Sequence, residues 1–357
     1  MERKQIIAVA MSGGVDSSVT AGILAQQGYK IIGVHLDLWS GFLEEKGEKK
    51  RRARAAEIIE RIAQKFNFPF EIIDAKDKFK ESIVKYFIDE IKHGITPNPC
   101  VLCNKNIKFG FLFNNVKKFG ITKIATGHYA RRLLLKNGEV ILRKGIDEKK
   151  DQSYYLCLLS QEQLHIAMFP IGNKYKKEII EQAVKWGLET KKNKESQDLC
   201  FLAGHDYREF IKRYAPGSQK IGDIVDKEGR IIGSHIGIGF YTIGQRKGLG
   251  ISSNKALFVI RKDILKNQLI VGEEGDLGKN KFEVTRVNWI TKGEHLNPFY
   301  ANIKIRYQAK LVKAKIIPVG ENEVLVHLSK PLRDITPGQF AVFYHKDNVL
   351  GGGSIKI

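Results

Sequence analysis

The stretch at residues 12–17 carries the clearest sign of chemistry in this sequence. An apolar run at residues 6–11 leads into Ser-Gly-Gly-Val-Asp-Ser, and a helical pattern follows. Glycines let a phosphate group approach the backbone closely, and the N–H groups at the start of a helix bind anions. The stretch lacks the Gly-Lys-Ser/Thr ending of the common nucleoside-triphosphate loop. The residues therefore predict a phosphate-binding loop of a different kind.

Asp16 lies inside this loop, where its carboxylate would repel a phosphate group. A Mg²⁺ ion between the two groups removes the repulsion, and carboxylate oxygens are ligands that Mg²⁺ prefers. This arrangement suits ATP chemistry in which a nucleophile attacks the α-phosphate and pyrophosphate leaves. A plain strand-turn-helix corner explains one glycine, but it explains the full Ser-Gly-Gly-Val-Asp-Ser run poorly.

Two cysteines lie in polar surroundings far apart in the sequence. Cys103 stands in TPNPCVLCNKNIKFG, and Cys200 stands in ESQDLCFLAG, beside Asp198 at a predicted loop-strand junction. The pattern predicts that Cys103 opens a helix, a position in which the helix dipole lowers the pKa of a thiol. Two such cysteines can form a relay, in which one carries a persulfide and the other later forms a disulfide with it. Burial as a small hydrophobe is the alternative for each, and we expect it for Cys157 in the apolar run SYYLCLL.

Alternating strands and helices in the first half of the chain would position these residues. The predicted strands are residues 6–11, 30–38, 70–74 and 123–125, and the predicted helices are residues 17–27, 48–66, 79–92 and 109–119. This alternation predicts a parallel sheet with right-handed crossovers, which binds ligands at the carboxyl ends of its strands. The phosphate-binding loop, the region of Leu36 and the turn Gly127-His128 would all lie at that edge. A lone histidine after a strand is usually structural, but this position makes His128 a candidate to orient a phosphate or a base.

The pattern changes after Phe210, where Gly-rich hairpins replace the strand-helix alternation. Beyond Lys281, short alternating segments separated by turn signals predict a small β-barrel or sandwich. The chain is also longer than a domain with a single hydrophobic core usually is. We therefore predict an α/β nucleotide-binding domain at residues 1–210, a small β-rich domain at residues 211–278 and a β-barrel at residues 279–357.

The composition favours a polyanionic partner. Lys and Arg number 60 against 39 Asp and Glu, which gives a net charge of +21, and such an excess favours phosphate contacts. Much of the lysine is spread along the chain, so a generally lysine-rich surface explains part of the excess. No apolar stretch is long enough to span a membrane, and four cysteines in a chain of this length are no disulfide framework. These features predict a cytoplasmic protein.

The phosphate-binding loop resembles the SGGxDS motif of the PP-loop ATP pyrophosphatases, which activate an oxygen with ATP and then displace AMP. Further stretches narrow the resemblance to the bacterial-type tRNA-uridine 2-sulfurtransferases over nearly the whole chain: AMSGGVDSSV, TPNPCVLCNKNIKF, ATGHYAR, KDQSYYL, ESQDLCF, IGQRKGLG, TPGQFAVFY and LGGGSI. The resemblance implies a parallel-sheet PP-loop domain, a small β-rich central domain and a C-terminal β-barrel that contacts tRNA. It also implies ATP-dependent adenylation of the wobble uridine, followed by sulfur transfer that yields 2-thiouridine, AMP and pyrophosphate.

The resemblance implies a role for each matched residue. Cys103 is the catalytic nucleophile that carries the persulfide, Cys200 is its partner, and Asp16 acts with Mg²⁺ near the phosphates of ATP. The implied nucleotide-binding residues are Ala10, Met11, Ser12, Gly13, Gly14, Val15, Asp16, Ser17, Leu36 and Gly127. The implied tRNA-binding residues are Asn98, Pro99, Cys100, His128, Lys150, Asp151, Gln152, Arg306, Tyr307 and Gln339. The implied partners are the anticodon region of tRNA and a persulfide sulfur donor protein.

Cys100 departs from the resemblance, since the family usually has Asp at this position. The departure creates Cys100-Val101-Leu102-Cys103 and, with Cys200, a set of three thiols. An iron–sulfur cluster held by Cys100, Cys103 and Cys200 is therefore an alternative to the persulfide relay, and a second resolving thiol at Cys100 is another. An amidating PP-loop synthetase and a non-catalytic RNA-binding protein are the remaining functional alternatives. The oligomeric state, the tRNA species and the identity of the sulfur donor do not follow from the sequence.

Overall fold

The computed structural model describes residues 5–39, 46–188, 199–202, 204–291, 293, 295–333 and 335–356. Within that part of the chain the strands form three sheets. The strands are β1 (Ile6–Ala10), β2 (Lys30–Asp37), β3 (Phe70–Asp74), β4 (Lys123–Ala125), β5 (Ala130–Leu134), β6 (Val140–Lys144), β7 (Ala167–Met168), β8 (Gly222–Val225), β9 (Ile231–His235), β10 (Phe258–Asp263), β11 (Gln268–Gly272), β12 (Lys279–Trp289), β13 (Phe299–Lys304), β14 (Val312–Gly320), β15 (Glu323–Leu332), β16 (Phe340–His345) and β17 (Asn348–Lys356).

Seven helical segments accompany these strands in the described residues. They are α1 (Val15–Gln26), α2 (Lys46–Phe66), α3 (residues 76–92), α4 (residues 99–119), α5 (Gln161–Ile166), α6 (Lys176–Lys185) and α7 (Tyr207–Tyr214), beside short 3₁₀ turns such as Cys200–Leu202. Two of them, α3 and α4, contain π-helical segments, at Lys80–Val84 and Asn104–Phe111 respectively. Of the helices described, none is both long enough and apolar enough to cross a membrane.

The first sheet is parallel and has β1 at its centre, in the order β3-β2-β1-β4-β7. Ile7 and Val9 pack in one core with residues of α1 and α2, while Ala8 packs in another core with residues of α4. Helices therefore cover both faces, which explains why β1 is almost purely apolar. β1 pairs with β2 on one side and with β4 on the other, so the connections change direction beside β1. A crevice opens at the carboxyl ends of the strands at such a point, and the predicted parallel sheet is confirmed.

Six strands of the C-terminal part close into a barrel, because β12 pairs with both β15 and β17. Val312, Ala314 and Ile316 alternate along β14 as its buried residues, as a barrel strand requires. The hairpin β5–β6, from the first part of the chain, joins the same sheet where Val349 of β17 pairs with Leu142 of β6. The predicted barrel is confirmed. The domain limits after residues 210 and 278 stay a prediction. They assign each stretch of the chain to one domain, whereas this sheet contains strands from both the first and the last stretch.

The central sheet has the order β10-β11-β8-β9 and contains both hairpins predicted for this region, β8–β9 and β10–β11. Lys262 of β10 donates a hydrogen bond to the backbone oxygen of Gly94 at 2.7 Å. Burial lowers the pKa of Lys262 to about 7. Gly94 lies two residues after α3, so this half-buried lysine joins the central sheet to the segment that leads into α4.

α4 begins earlier than its predicted start at residue 109. Its first helical residue is Pro99, preceded by Asn98, and proline suits this position because its missing N–H would have no intrahelical partner. A π-helical segment follows, in which Gly110 lies close to Lys105. A Cβ on Gly110 would be 2.9 Å from the Lys105 backbone oxygen. The ends of the other predicted elements shift by a few residues, which is the usual uncertainty of helix and strand ends.

Candidate active site

The phosphate-binding loop is shaped by its own hydrogen bonds. Ser17 Oγ accepts from the backbone N–H of Ser12 at 3.2 Å and donates to the backbone oxygen of Gly14 at 3.0 Å. Gly13 has a φ of +77°, and a Cβ there would lie 2.8 Å from the Cα of Ala55 on α2. Gly14 precedes α1 without a side-chain cap, so the first N–H groups of α1 have no intrahelical acceptor. Phosphate oxygens fit this arrangement, because such N–H groups bind them.

Gly127 contacts this loop from the neighbouring strand. A Cβ on Gly127 would lie 2.8 Å from the carbonyl carbon of Asp16 and 2.9 Å from the backbone nitrogen of Ser17. The turn after β4 therefore touches the start of α1, and glycine is needed for this distance. From the β2 side, His35 Nδ1 lies 2.8 Å from the backbone oxygen of Met11. All residues predicted to bind the nucleotide thus lie along one edge of the sheet: residues 10–17, Leu36 and Gly127.

Asp16 is bound by two side chains that the sequence analysis did not identify. Lys176 Nζ lies 2.8 Å from both carboxylate oxygens, and the Tyr129 hydroxyl donates to Oδ1 at 2.8 Å. Lys176 is the first residue of α6, where a positive charge opposes the helix dipole. A lysine in this unfavourable position was the signal available in the sequence. The Mg²⁺ ligation predicted for Asp16 stays a prediction, and it requires the carboxylate to share its oxygens with Lys176.

The thiol of Cys103 is buried on α4, and that of Cys100 is half-buried one turn earlier. Burial raises the pKa of Cys103 to about 12, and the ammonium group of Lys108 offsets part of the rise. Burial likewise raises the pKa of Cys100 to about 12. The predicted lowering of the Cys103 pKa is therefore wrong. α4 begins at Pro99, so Cys103 lies beyond the first helical turn, where the dipole acts most strongly, and desolvation dominates.

Cys200 lies next to the helix that carries the other two thiols. After burial and the opposing charge of Lys108, a negative charge on Cys200 raises the pKa of Cys103 further. Phe201 and Leu202, which follow Cys200, also share a hydrophobic core with Cys103. Cys200 is exposed and opens a 3₁₀ turn instead of the predicted strand, and Asp198 lies outside the described residues.

A metal cluster does not fit these thiols as they are arranged. In the described part of the chain, no three Cys, His, Asp or Glu side chains are placed to hold one metal ion. The four cysteines all lie within that part and form no disulfide with one another. Cys157 is fully buried in an apolar core, as predicted. The geometry thus offers separate thiols for chemistry and does not support a cluster on Cys100, Cys103 and Cys200.

The π-helical segment of α4 connects the thiols with the nucleotide edge. The charge of Lys108 acts on Cys100, Cys103 and His128. The ring of Phe109 lies 6.5 Å from that of His128, the residue that follows Gly127. The thiols and the phosphate-binding loop therefore flank the same turn after β4.

His128 is buried, and its Nδ1 lies 2.7 Å from Thr126 Oγ1. Burial lowers the pKa of His128 well below its usual value, and the charge of Lys108 lowers it further. The ring is therefore neutral at pH 7, and it acts as a positioned polar group instead of a cation. Its predicted contact with tRNA or substrate stays a prediction.

The buried His128 should make the protein less stable in mild acid. Below about pH 6.5 the unfolded chain binds a proton at this ring that the folded chain excludes, so the free energy of unfolding falls as the pH falls. The contribution approaches about 1.4 kcal/mol per pH unit for one proton. Urea unfolding near neutral pH and near pH 5.5 measures it. His128→Gln should weaken the pH dependence, and an equal dependence in both proteins would contradict the assignment.

Three residues predicted to bind tRNA precede the 3₁₀ turn at Ser153. Asp151 is buried, and its carboxylate accepts hydrogen bonds from the backbone N–H and the hydroxyl of Ser153, each at 3.1 Å. Gln152 Oε1 accepts from the backbone N–H of Tyr129 at 3.1 Å. Lys150 lies in the turn before them. The structure gives Asp151 an internal role, so its direct contact with RNA stays a prediction that its burial does not favour.

Tyr307 connects the barrel with the thiol-bearing helix. Its ring lies on that of Tyr155, with centroids 4.5 Å apart and planes at 32°. Burial raises the pKa of Tyr155, and the nearby Cys100 raises it further. Asn98 and Pro99 begin α4 beside Cys100. Residues predicted to bind tRNA on the barrel and on α4 are thus brought together.

Gln339 holds the barrel against the segment before α4, and Arg306 makes a contact within the C-terminal part. Gln339 Nε2 donates to the backbone oxygen of Thr96 at 2.9 Å, and the Thr96 N–H donates to the Pro337 oxygen at 3.2 Å. Arg306 Nη2 donates to Thr336 Oγ1 at 2.6 Å. Both predicted tRNA residues therefore make internal contacts here, and their contact with RNA stays a prediction.

Comparison with protein families gives three matches in succession along the chain. Residues 5–204 match the tRNA methyl transferase HUP domain, and residues 208–273 match the tRNA methyl transferase PRC-barrel domain. Residues 279–355 match the aminomethyltransferase beta-barrel domain. The matched regions correspond in order to the parallel sheet, the central sheet and the barrel.

Curated relatives are similar to the chain over nearly its whole length. The tRNA-specific 2-thiouridylase MnmA 2 of Clostridium botulinum (strain Langeland) is 45% identical over 353 residues, covering 99% of both proteins. The tRNA-specific 2-thiouridylase MnmA of Clostridium acetobutylicum is 43% identical, covering 98% of this chain and 99% of its own. The tRNA-specific 2-thiouridylase MnmA 1 of Caldanaerobacter subterraneus subsp. tengcongensis is 42% identical and covers 100% of this chain and 99% of its own. The similarity thus spans the regions of the loop, the thiol-bearing helix and the barrel together.

Proposed function

The chain belongs to the tRNA-specific 2-thiouridylases, a family of tRNA sulfurtransferases, and on that premise we propose a reaction at the wobble uridine of tRNA. Formation of 2-thiouridine in tRNA by a PP-loop enzyme is the activity of the family. For this chain we infer that ATP activates the C2 oxygen and that a persulfide on Cys103 replaces that oxygen with sulfur. The products are 2-thiouridine, AMP and pyrophosphate.

One observation carries this proposal. The turn after β4 has the phosphate-binding loop on one side and the thiol-bearing helix on the other. Gly127 touches the start of α1, while His128 lies against the π-helical segment that follows Cys103. A uridine bound at this turn would lie between the loop that holds ATP and the helix that carries the sulfur nucleophile. That geometry supports adenylation and sulfur transfer in one site.

The first step is activation of the base. Chemistry on a base requires that it leave its stack, so the wobble uridine is flipped into the crevice. Its C2 oxygen forms a bond to the α-phosphorus, and the bond from that phosphorus to pyrophosphate breaks. The N–H groups at the start of α1 and the hydroxyl group of Ser12 hold the departing pyrophosphate, because such donors stabilise developing negative charge. When bound beside Asp16, Mg²⁺ supplies further neutralisation of the triphosphate.

The second step is sulfur transfer. The terminal persulfide sulfur on Cys103 forms a bond to C2, and the C2–oxygen bond breaks as AMP leaves. The thiolate of Cys200 then attacks the Cys103 sulfur, and the electron pair of the broken S–S bond stays on the product sulfur. The two thiols are oxidised to a disulfide while the transferred sulfur is reduced, and a thiol reductant restores them. Lys108 favours the anionic form of Cys103, since its charge opposes the rise in the Cys103 pKa.

The remaining parts of the proposal concern partners and location. The tRNA anticodon region would lie across the barrel and the start of α4, where Tyr307 and Tyr155 meet near Cys100. The net charge of +21 suits such a polyanion. The persulfide comes from a sulfur donor protein, and the enzyme works in the cytoplasm. An amidating synthetase finds no support in the curated relatives, whose names specify thiolation.

The proposal is tested by incubating the purified protein with ATP, Mg²⁺, a persulfide donor and a tRNA that has uridine at the wobble position. Mass spectrometry of digested tRNA should detect 2-thiouridine, and AMP and pyrophosphate should form in equal amounts. The matched control is the same tRNA with cytidine at the wobble position. Absence of 2-thiouridine while Cys103 is loaded with persulfide would reject the proposal.

The iron content of the purified protein distinguishes the persulfide relay from the cluster alternative. Protein purified without oxygen should be colourless, free of iron and fully active. Activity that requires bound iron would replace the relay with the cluster.

A further inference from the structure

Three successive glycines in β17, at residues 351–353, have no part in the proposed reaction. A Cβ on Gly352 would lie 3.0 Å from Sγ of Cys157, and a Cβ on Gly353 would lie 2.7 Å from the backbone oxygen of Thr285 on β12. Glycine has no Cβ, so it allows two backbones to approach this closely. The glycines therefore let β17 lie directly against β12 and against the apolar core around Cys157.

β12 contains a bulge opposite these glycines. Arg286 and Val287 of β12 together stand opposite the single residue Gly353 of β17. Arg286 has a φ of +53°, and a residue with a long side chain rarely adopts this left-handed conformation. β-Bulges re-aim side chains next to functional sites, and strained residues cluster where ligands bind. The bulge therefore marks Arg286 as a candidate for binding a ligand.

Arg286 lines a cavity of about 490 Å³ between the barrel and the helices α3 and α4, which is within the usual size range of small-molecule sites. Tyr86 lines it from α3, and Lys105 lines it from α4, two residues after Cys103. Burial raises the pKa of Tyr86, and the nearby charge of Arg286 opposes the rise. The described lining residues include none of those predicted to bind ATP or tRNA. The cavity thus adjoins the thiol-bearing helix without belonging to the site already described.

The cavity wall combines positive charge with apolar surface. Within the part of the chain that the structure describes, the side chains of Arg286 and Lys105 form neither an ion pair nor a hydrogen bond. Glu323 also lines the cavity, but it is exposed and likewise forms no ion pair with a described residue. Leu102 and Leu158 supply an apolar part of the wall. A ligand that fits this wall has an anionic group and an apolar body.

We propose that this cavity binds a nucleotide, with its phosphate group on Arg286 and Lys105 and its base against Leu102 and Leu158. Guanidinium and ammonium groups form strong charge-assisted hydrogen bonds with phosphate oxygens. An inorganic anion would leave the apolar wall uncovered, whereas a base covers it. A nucleotide within bound RNA and a free mononucleotide present the same phosphate and base, and the experiment distinguishes these two sources. The inference goes beyond the proposed function, because it involves neither the thiols nor the phosphate-binding loop.

Calorimetric titration with guanosine monophosphate tests the inference on the full chain, after a non-hydrolysable ATP analogue has saturated the phosphate-binding loop. Arg286→Asn removes the charge and suits the left-handed backbone, and it should weaken binding by roughly tenfold to a hundredfold. Lys105→Met should do the same. Arg286→Lys keeps the charge and should recover most of the affinity, which a merely structural role of the bulge does not predict. Lys346→Asn is the matched control, because Lys346 has a φ of +53°, is exposed and lies outside the cavity.

Binding of tRNA at several salt concentrations distinguishes the two sources of the nucleotide. If the nucleotide belongs to RNA, Arg286→Asn and Lys105→Met should each reduce the slope of log affinity against log salt by about one. If it is free, the two variants should lose guanosine monophosphate binding and keep the wild-type affinity for tRNA. Unchanged binding of both probes in the two variants would overturn the inference. An equal loss in Lys346→Asn would also overturn it, because net charge would then explain the effect without the cavity.

Discussion

Replacement of Cys103 by serine should abolish 2-thiouridine formation, with a loss of at least roughly 10³-fold, as is typical when a catalytic nucleophile is removed. A serine hydroxyl cannot carry a persulfide sulfur, so the transfer step has no donor. The nucleotide edge is built by other residues, and Gly127 contacts the start of α1 independently of the thiol. We therefore expect tRNA-dependent pyrophosphate release to continue while no sulfur reaches the base.

Mass spectrometry of tRNA and a coupled pyrophosphate assay measure the two halves of this result. Cys157→Ala is the matched control, because Cys157 is fully buried in an apolar core and has no part in the proposed chemistry. Cys200→Ser should behave differently from Cys103→Ser, since sulfur still reaches C2 and the product remains bonded to Cys103. Formation of free 2-thiouridine by Cys103→Ser at the wild-type rate would refute the role of this thiol.

Replacement of Gly127 by alanine should weaken ATP binding by roughly a hundredfold. The added Cβ would lie 2.8 Å from the carbonyl carbon of Asp16 and 2.9 Å from the nitrogen of Ser17, so backbone must shift at the phosphate-binding loop. Displacement of about 1 Å in a binding site can cost this much. Overpacking of this kind also costs about 1–3 kcal/mol of the free energy of unfolding.

Equilibrium titration with MgATP and denaturant unfolding measure both effects of Gly127→Ala. Gly217→Ala is the control, because a Cβ at Gly217 meets open space and this glycine has no positive φ. That variant should bind ATP and unfold as the wild type does. Unchanged ATP affinity in Gly127→Ala would show that the turn after β4 does not contact the nucleotide.

The sheet and the barrel could be predicted because their signals are local. β1 is a short apolar run followed by glycine and a helical pattern, and this local sequence pattern predicts a strand of a parallel sheet without reference to distant residues. The alternation of buried and exposed residues in β14 is equally local. The positions of the loop at residues 12–17 and of Gly127 at one edge follow from parallel pairing alone.

The chemistry of Cys103 was harder to predict because its pKa depends on distant residues. Phe201 and Phe87 belong to the core that surrounds this thiol, and neither is close to it in sequence. The start of α4 at Pro99 and the π-helical register after it move Cys103 away from the helix end. Local motifs indicated a helix near this thiol, and tertiary packing decided where in the helix it lies.

The pairing of Lys176 with Asp16 was hard to predict for the same reason, because it depends on residues far apart in sequence. Asp16 and Lys176 each stand out at the start of a helix, but only the packing of α6 on α1 joins them. The internal contacts of Asp151 also depend on burial that the motif around it does not encode. Residue types indicated the kind of chemistry here, while contacts between distant segments determined which charged groups meet.

The pairing of β17 with β6 has a consequence for synthesis on the ribosome. The hairpin β5–β6 emerges long before its partner, because Val349 pairs with Leu142 across most of the chain. Until then the edge of β6 has unpaired backbone groups, which is a hazard for aggregation. Contacts so distant in sequence also slow folding. The edge of β6 in the nascent chain therefore stays unpaired until β17 has been synthesised. A fragment that lacks β17 should need a chaperone to stay in solution.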